Sequence, residues 1–221
     1  MKRVSLLSIS LLVGPWACGT DLNSAMSELR AGPEVGGTVP TGTCGELEAL
    51  CDVDCSGDFE NTTCRGVLTG GSYDNVEVPE GETCVLDGAL VTGNLIIKKG
   101  ASLAVGTGSF VCGNLQAEEA SRVQGQDLRV CGNLQASKTD RVELGSLVEV
   151  RQNLDASETQ QLVLTATLVC ADAQLSEVDR VEVSSGSASV VAKDCSADEI
   201  GAFDFTGLEV NGDNDGCLGT R

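Results

Sequence analysis

Apolar side chains recur along residues 76–183 with a period of 19 to 20 residues. Stacked by that period they form columns, and in two pairs of columns the members of a pair are two residues apart. A two-residue spacing is the period of a β-strand whose alternate side chains point inward. The pairs begin at Val76 and Val78 and at Cys84 and Leu86, and a single valine column begins at Val91. Each repeat therefore predicts three short strands.

A repeat of this length built from strands is typical of a solenoid, in which every coil hydrogen-bonds to the coils on either side. Leucine-rich repeats have a similar length but need a leucine-dense consensus, which these columns lack. Left-handed β-helices show stricter six-residue steps. We therefore predict an all-β fold, a single-stranded right-handed parallel β-helix with about 19–20 residues per coil.

One polar column runs through the same repeats, directly before the first inward column. It consists of Asn75, Asn94, Asn114, Asn133, Asn153 and Asp172. Asparagine tolerates left-handed backbone, and its amide can hydrogen-bond to the same residue of the next coil. The column thus predicts a stacked turn, and the glycine before three of its members is expected to permit that turn.

The first residues predict export. Residues 1–17 combine a basic start with an apolar run at 4–13 that is too short to span a membrane as a helix. Pro15-Trp16-Ala17-Cys18 resembles the lipobox of bacterial lipoproteins, which implies cleavage before Cys18 and acylation of its thiol. The alternative is ordinary signal cleavage with Cys18 as a spare thiol. Residues 18–43 have many turn-forming and few large apolar residues, which predicts a flexible tether.

Cysteine usage agrees with export. The chain has 11 cysteines, and setting Cys18 aside leaves an even number, as expected for disulfides in an oxidising compartment. Four of them lie within residues 44–66, at spacings that match no paired zinc knuckle. These four are Cys44, Cys51, Cys55 and Cys64. We predict a disulfide-rich N-terminal cap there, covering the open end of a β-helix at residues 67–217, with a tail at 218–221.

The remaining cysteines lie in the repeats. Cys112 and Cys131 occupy equivalent positions of adjacent coils, and strands about 4.8 Å apart bring Cα atoms within disulfide range. We predict a Cys112–Cys131 bridge. Cys170 shares this column, but an arginine fills the coil between, so we pair Cys170 with Cys195. Cys84 is expected to tie its coil to the cysteine-rich segment, and the pairing within that segment stays open.

Charge and composition exclude several functions. The net charge of −19 becomes −21 without residues 1–17, which hold Lys2 and Arg3 and no acid. Such a chain repels nucleic acid and anionic membranes. It has no histidine, which removes the Ser-His-Asp and Cys-His nucleophile pairs and histidine-bound metals. With short coils that lack insertions and with six aromatic residues, we predict no enzyme, no catalytic residue, no metal and no cofactor.

An outward column of basic residues also invites a functional interpretation, because it could grip an anionic polymer. It consists of Arg122, Arg141 and Arg180, with Gln161 in the gap. Acidic residues flank it, so lateral ion pairs on a solvated face are the simpler interpretation. Farther along the chain, Phe203 and Phe205 are expected to plug the C-terminal end of the solenoid.

The sequence Val-x-Gly-Asn-Leu occurs at 91–95, 111–115 and 130–134. This motif resembles the coil repeat of exported bacterial proteins with short-coil right-handed β-helices and, less closely, that of bactofilins, which polymerise end to end into cytoskeletal filaments. The resemblance implies a fold and no activity. The export signal and the many cysteines depart from bactofilins and argue against a cytoskeletal role.

We therefore expect a non-catalytic lipoprotein of the cell envelope, located in the outer membrane or otherwise periplasmic or extracellular. Its lipid would bind the membrane, and its rigid β-helix would present side faces to an envelope protein or a glycan. One alternative is a secreted protein that binds or cleaves polysaccharide. Another is an envelope protein that self-associates end to end.

Overall fold

The computed structural model describes residues 43–57, 59–184 and 188–217. These residues form a parallel β-solenoid of about 8 turns, preceded by one α-helix, α1 (Cys44–Asp54). The β-helix architecture predicted from the columns is confirmed. The predicted export signal, Cys18, the tether up to residue 42 and the tail at 218–221 lie outside the described residues.

Three parallel sheets run the length of the solenoid. They are named A, B and C in the order in which the chain passes through them in each coil. Sheet A consists of β1 (Thr62–Thr63), β4 (Val76–Val78), β7 (Leu95–Ile97), β10 (Leu115–Glu118), β13 (Leu134–Ser137), β16 (Leu154–Ser157), β19 (Ala173–Ser176), β22 (Cys195–Asp198) and β25 (Asn214–Asp215). Sheet B consists of β2 (Gly66–Thr69), β5 (Thr83–Asp87), β8 (Ser102–Val105), β11 (Arg122–Gly125), β14 (Arg141–Leu144), β17 (Gln161–Leu164), β20 (Arg180–Val183) and β23 (Ala202–Asp204). Sheet C consists of β3 (Ser72–Tyr73), β6 (Leu90–Val91), β9 (Ser109–Val111), β12 (Leu128–Val130), β15 (Val148–Val150), β18 (Thr167–Val169), β21 (Ser189–Val191) and β24 (Leu208–Val210).

Each coil contributes one strand to each sheet, so hydrogen-bonded neighbours are three strands apart in the chain. We number the coils from coil 1 (β1 to β3) to coil 8 (β22 to β24). The strands pair without a register slip: Leu95 lies opposite Leu115, which lies opposite Leu134. This pairing turns the apolar columns of the sequence into the core, because a register kept from coil to coil keeps every inward position inward.

The core is a narrow stack of aliphatic side chains. Leu95, Leu115, Leu134 and Leu154 have no exposed surface, and the same holds for Val130 and Val150 of the sheet C column. Burying a side chain of this size contributes about 1.5–3 kcal/mol. The strands are only 2–5 residues long, and the backbone of each bonds to the coils above and below. Packing and hydrogen bonds therefore both act between coils.

The asparagine column lies at the turn from sheet C to sheet A. The backbone N–H of Asn94 donates to Oδ1 of Asn75 at 2.8 Å, and Asn114 and Asn133 repeat this bond to the coil before at 2.9 Å and 2.8 Å. The ladder extends beyond the predicted positions. It begins with Asn75 donating to Asn61 and ends with Asp213 donating to Asp194. Each rung satisfies a backbone donor that the strands leave free at the corner.

The prediction of left-handed backbone at this asparagine turn is wrong, because no member of the ladder has a positive φ. Positive φ occurs at the two other corners, from sheet A to B and from sheet B to C. The non-glycine residues with positive φ are Glu119, Asp127, Lys138, Leu147, Glu158, Ala166, Glu177 and Glu199, and equivalent corners of other coils hold glycines such as Gly100 and Gly108. The asparagine turn is therefore closed by hydrogen bonds, and the glycines that precede the asparagines have a role other than positive φ.

The glycines before the asparagines allow a close approach between adjacent coils. A Cβ atom on Gly113 would lie 2.4 Å from the carbonyl oxygen of Gly93, and one on Gly132 would lie 2.5 Å from that of Gly113. No real Cβ atom approaches a backbone oxygen so closely. The glycines thus let successive corners stack tightly while the asparagines bond across them.

We expect Gly113→Ala to lower the free energy of unfolding by about 1–3 kcal/mol, because the new methyl group must push the corners of adjacent coils apart. Urea unfolding followed by circular dichroism measures the loss. The matched control is Gly45→Ala in α1, where a Cβ would meet nothing within 4 Å. Alanine favours a helix over glycine by up to about 1 kcal/mol, so the control is expected to gain stability. Equal stability of Gly113→Ala and the wild type would contradict the close-approach argument.

The C-terminal end of the core carries the phenylalanine pair. Phe203 lies opposite Val181 and continues an inward column, yet 57% of it is exposed because the described chain places no strand beyond β23 in sheet B. Its ring stacks on that of Phe205 at a centroid distance of 5.4 Å, and Phe205 packs against the core. The two rings thus belong to the last coil and cover the end of the core in part.

Candidate functional site

Helix α1 begins with a complete capping box. The Thr43 hydroxyl accepts a hydrogen bond from the backbone N–H of Glu46, and the Glu46 carboxylate accepts one from the backbone N–H of Thr43 at 2.7 Å. These bonds lower the pKa of the Glu46 carboxyl, the backbone bond having the larger effect. The box satisfies donors that the first turn of a helix leaves free. It fixes the start of the helix at Cys44, directly after the N-cap Thr43.

The three cysteines at the helix share one face. Cys44, Cys51 and Cys55, the last at the C-cap, are spaced by seven and four residues. At 3.6 residues per turn these positions point within about 20° of one direction. A rise of 1.5 Å per residue places the first and the last about 16 Å apart along the helix. One face of α1 therefore carries a nearly straight row of three sulfur atoms.

The solenoid offers a matching row. Cys112, Cys131 and Cys170 directly follow the sheet C strands of coils 3, 4 and 6, and three coil spacings add up to about 14 Å. The structure joins the two rows by three disulfides: Cys44–Cys170, Cys51–Cys131 and Cys55–Cys112. Helix α1 therefore runs back along the flank, antiparallel to the direction in which the solenoid grows. We call α1 with these three disulfides the strap.

Coil 5 holds Arg151 at the position where its neighbours hold cysteine. Its guanidinium reaches Glu48 at 3.2 Å and Asp52 at 3.5 Å, two acids one helical turn apart on α1. The two carboxylates are exposed and Arg151 is partly buried, so these ion pairs contribute little stability by themselves. They do give the strap a contact at each of coils 3 to 6.

Apolar packing fills the space beneath the helix. Leu47 is 1% exposed and clusters with the buried Cys51 and Cys131, and Phe110 of sheet C packs against the cluster. This cluster is separate from the solenoid core. The strap therefore has its own small hydrophobic centre, placed at the middle disulfide.

The structure corrects two predicted bridges. Cys112 and Cys131 both bond to α1, so the Cys112–Cys131 bridge is wrong, and Cys170 bonds to Cys44, so the Cys170–Cys195 bridge is wrong as well. Both predictions depend on a cysteine-rich segment that lies over the end of the solenoid, out of reach of Cys112, Cys131 and Cys170. The disulfide-rich N-terminal segment is present, and it covers the flank of coils 3 to 6 rather than the first coil.

The other two disulfides fasten the end coils. Cys64 of coil 1 bonds to Cys84 of coil 2, so Cys84 does tie its coil to the cysteine-rich segment. At the opposite end Cys195 bonds to Cys217, and both are buried. End coils lack a neighbour on one side, and a disulfide to the next coil keeps them from fraying.

The outward arginine column forms lateral ion pairs. Glu143 lies between Arg122 and Arg141 and accepts hydrogen bonds from both. Burial disfavours the charged Glu143 carboxylate, but the two guanidinium groups together outweigh burial and hold its pKa below the usual value. Arg180 pairs with Glu182 in the same way. The column is thus neutralised by its own sheet, which leaves little positive charge for an anionic polymer.

An acidic groove of about 400 Å³ lies beside the left-handed corners of coils 6 to 8. It is lined by Glu158, Thr159, Glu177, Asp179, Glu199 and Gly201. Its carboxylates are exposed. Within the described ranges no group of three or more His, Cys, Asp or Glu residues is arranged to hold a metal ion. We assign no ligand to this groove.

The outward face of sheet A is mostly uncharged in coils 4 to 7, where Glu118 and Asp155 are its acidic residues, and Glu77 and Asp198 add charge in the coils beyond. Two rows of amides and hydroxyls run along it: Gln116, Gln135 and Gln174, and Ser137, Ser157 and Ser176. Asp155 interrupts the first row. Burial raises the pKa of the Asp155 carboxyl; a hydrogen bond from Gln135 opposes this rise and the charge of Asp172 adds to it.

We expect Asp155→Asn to stabilise the protein at pH 7. A raised pKa in the folded state means that folding favours the protonated acid, so wild-type stability falls as the pH rises from the unfolded pKa of about 3.9 through the folded value. The asparagine variant escapes this loss. Thermal unfolding at several pH values checks it: the gain present at pH 7 is expected to vanish near pH 3.

Glu143→Gln is the control of opposite sign. The folded pKa of Glu143 is lowered, so its contribution to stability is present above the unfolded pKa and is lost as the pH falls through the folded value. This variant is expected to be less stable than the wild type at pH 7 and to approach it in acid. Parallel pH profiles for Asp155→Asn and Glu143→Gln would refute both assignments.

The sequence matches no family model, and neither the curated proteins nor the solved structures give a significant match. In the part of the chain that the structure describes, no helix is both long and apolar enough to cross a membrane. Five disulfides indicate an exported protein that folds in an oxidising environment.

Proposed function

We propose that this protein is a non-catalytic module of the cell envelope, a rigid rod that holds its side faces in fixed positions for a partner. The observation that carries this proposal is the strap, which fastens one helix to coils 3, 4 and 6 by three disulfides. Disulfides at both ends add to its effect. Crosslinks of this density suit a protein that must keep its shape outside the cell.

Three sides of the solenoid differ in what they can offer a partner. The strap runs along the edge of sheet C, and on sheet B the arginines are bound to glutamates of the same sheet. In coils 4 to 7 sheet A presents mainly glutamine and serine side chains, and one contact between them, Gln116 to Gln135, is long at 3.5 Å. Sheet A therefore has donors and acceptors to spare.

We infer that the partner of sheet A is a glycan. Amides and hydroxyls donate and accept hydrogen bonds, as the hydroxyl groups of a sugar polymer do. Their repeat of about 4.8 Å along the solenoid suits a ligand that is itself repetitive. The net negative charge argues against a nucleic acid as the partner.

Binding to immobilised neutral polysaccharides tests this inference. The triple variant Gln116→Ala/Gln135→Ala/Gln174→Ala is expected to lose retention, and the matched control Gln124→Ala, on the outward face of sheet B, is expected to keep it. Equal retention of both variants would remove sheet A as the contact face. Release of soluble sugar during incubation would overturn the non-catalytic proposal.

We also propose that Cys18 carries the lipid anchor and that the protein is an outer-membrane lipoprotein. The support is the lipobox resemblance at residues 15–18 together with the even number of the other cysteines, and all of the latter are disulfide-bonded in the structure. Metabolic labelling with palmitate in a bacterial host tests this. The wild type is expected to take up label and Cys18→Ala is not. Equal labelling of the two would refute the anchor.

A further inference from the structure

Four cysteines of the strap form a square array, which we call the quartet: Cys51, Cys55, Cys112 and Cys131. On the solenoid side, Val111 lies opposite Val130, and the Cys131 N–H donates to the Val111 carbonyl at 2.8 Å, so Cys112 and Cys131 are register neighbours. Neighbouring strands are about 4.8 Å apart. This separation lies within the Cα distances that a disulfide spans.

On the helix side, Cys51 and Cys55 are four residues apart and therefore adjacent on one face. The native bonds cross from helix to solenoid, as Cys51–Cys131 and Cys55–Cys112. The same four sulfur atoms can also pair along the solenoid. The two pairings differ by one exchange reaction and not by a rearrangement of the coils.

The two native bonds differ in access. Cys51 and Cys131 are 5% and 4% exposed, whereas Cys55 and Cys112 are both partly exposed. Thiol–disulfide exchange requires a thiolate to reach a sulfur atom of the disulfide. A reductant from solvent therefore attacks Cys55–Cys112 before it reaches the buried bond.

We propose that the quartet is a disulfide relay that opens the buried bond of the strap from its exposed one. A dithiol reductant first reduces Cys55–Cys112, gives up two electrons and becomes a disulfide itself. The Cys112 thiolate then attacks the sulfur of Cys131. The Cys112–Cys131 bond forms, the Cys51–Cys131 bond breaks, and Cys51 leaves as a thiolate that takes up a proton from water. One reductant thus frees Cys51 and Cys55, the two helix cysteines of the quartet.

The product differs from the native protein in its crosslinks and in how much of α1 is held. Coils 3 and 4 remain crosslinked, now directly, while the C-terminal half of α1 is released. Cys44–Cys170 lies outside the relay, because Arg151 fills the coil between Cys131 and Cys170 and two coil spacings amount to about 9–10 Å. The relay itself therefore leaves the first turn of α1 fastened at coil 6, while the rest of the helix is free to move away from Cys131 and Phe110.

Single cysteine variants test the relay without any reductant. All are made in the full chain with Cys18→Ser, so that Cys18 supplies no thiol. In Cys55→Ser the Cys112 thiol has no partner, and the relay predicts that Cys112–Cys131 forms and Cys51 becomes free. Alkylation after acid quenching, followed by peptide mass spectrometry, is expected to find Cys51 alkylated and Cys112 linked to Cys131.

Two controls separate the relay from general scrambling. Cys55→Ser/Cys112→Ser lacks the attacking thiol, and Cys44→Ser leaves a free thiol at Cys170, too far away to attack. Both are expected to keep Cys51–Cys131 intact. If Cys55→Ser instead shows alkylated Cys112 with Cys51–Cys131 retained, the relay does not exist. Free Cys51 in the Cys44→Ser variant would likewise overturn it, because exchange would then not depend on register.

Discussion

Replacing Leu134 with alanine is expected to lower the free energy of unfolding by about 2–5 kcal/mol. Leu134 has no exposed surface and lies in the middle of an inward column, with Leu115 and Leu154 opposite it in the adjacent coils. The solenoid interior is narrow, and neighbouring coils are held at a fixed spacing by backbone hydrogen bonds. The cavity left by the lost side chain therefore collapses poorly, which places the loss toward the upper part of the range.

Urea unfolding of the oxidised protein measures this loss. The matched control is Gln135→Ala, the next residue of the same strand, whose side chain points outward and is exposed. A surface change of this kind is expected to alter stability by no more than about 0.5 kcal/mol. If the two variants lose similar stability, the assignment of inward and outward faces is wrong.

Removing the three disulfides of the strap is expected to cost about 5 kcal/mol or more. The variant replaces both cysteines of every strap disulfide by alanine, at positions 44, 51, 55, 112, 131 and 170. Loop-entropy arguments assign about 4–5 kcal/mol to one crosslink between residues about 100 apart, and the strap disulfides join residues 126, 80 and 57 apart. They share much of the same chain, so their contributions are not additive.

The comparison variant is Cys64→Ala/Cys84→Ala, which opens a disulfide between residues only 20 apart. A loop of this size is worth about 3 kcal/mol by the same argument. Hydrogen exchange adds a local measurement: the strap variant is expected to lose protection in α1, and the end variant in β1 and β2. Equal and uniform loss of protection in both would show that the disulfides do not act locally.

The coils were predictable because the apolar side chains that form their core recur at a regular spacing in the sequence. An inward position such as that of Leu95 recurs at Leu115 and Leu134, and parallel pairing in constant register follows from that recurrence alone. The asparagine column was visible for the same reason. Its extension to Asn61 was missed because the neighbouring apolar columns are weaker in coil 1, where Thr62 stands in the place of Val76.

The strap was not predicted, because it depends on a contact between segments of different periodicity. The spacing of Cys44, Cys51 and Cys55 points to a helix face only if the segment is known to be helical. The signals for that were present: Thr43 and Glu46 have the spacing of a capping box. If the helix is not known, the cysteine nearest to Cys112 in space is Cys131, which is why the sequence predicts a bridge between them.

Non-glycine residues in the left-handed corners carried no sequence signal either. Leu147 and Ala166 have positive φ, which costs such residues about 1–2 kcal/mol each. Their conformation is imposed by the stacking of coils, in which equivalent corners such as that at Gly108 already have this geometry. Local preference is overridden there by the register of the sheets.

The antiparallel direction of α1 also determines the order in which the strap cysteines of an exported chain meet their partners. Its disulfides are nested: Cys44–Cys170 encloses Cys51–Cys131, which encloses Cys55–Cys112. Of the strap cysteines, a chain that enters an oxidising compartment from its N-terminus delivers Cys44 first, yet its partner Cys170 arrives 126 residues later. Oxidation in order of arrival would join Cys44 to Cys51 and trap the helix away from the flank. The native bonds therefore form only where early pairs are avoided or reshuffled, and Cys44, the first strap cysteine to emerge, is the last of them to meet its partner.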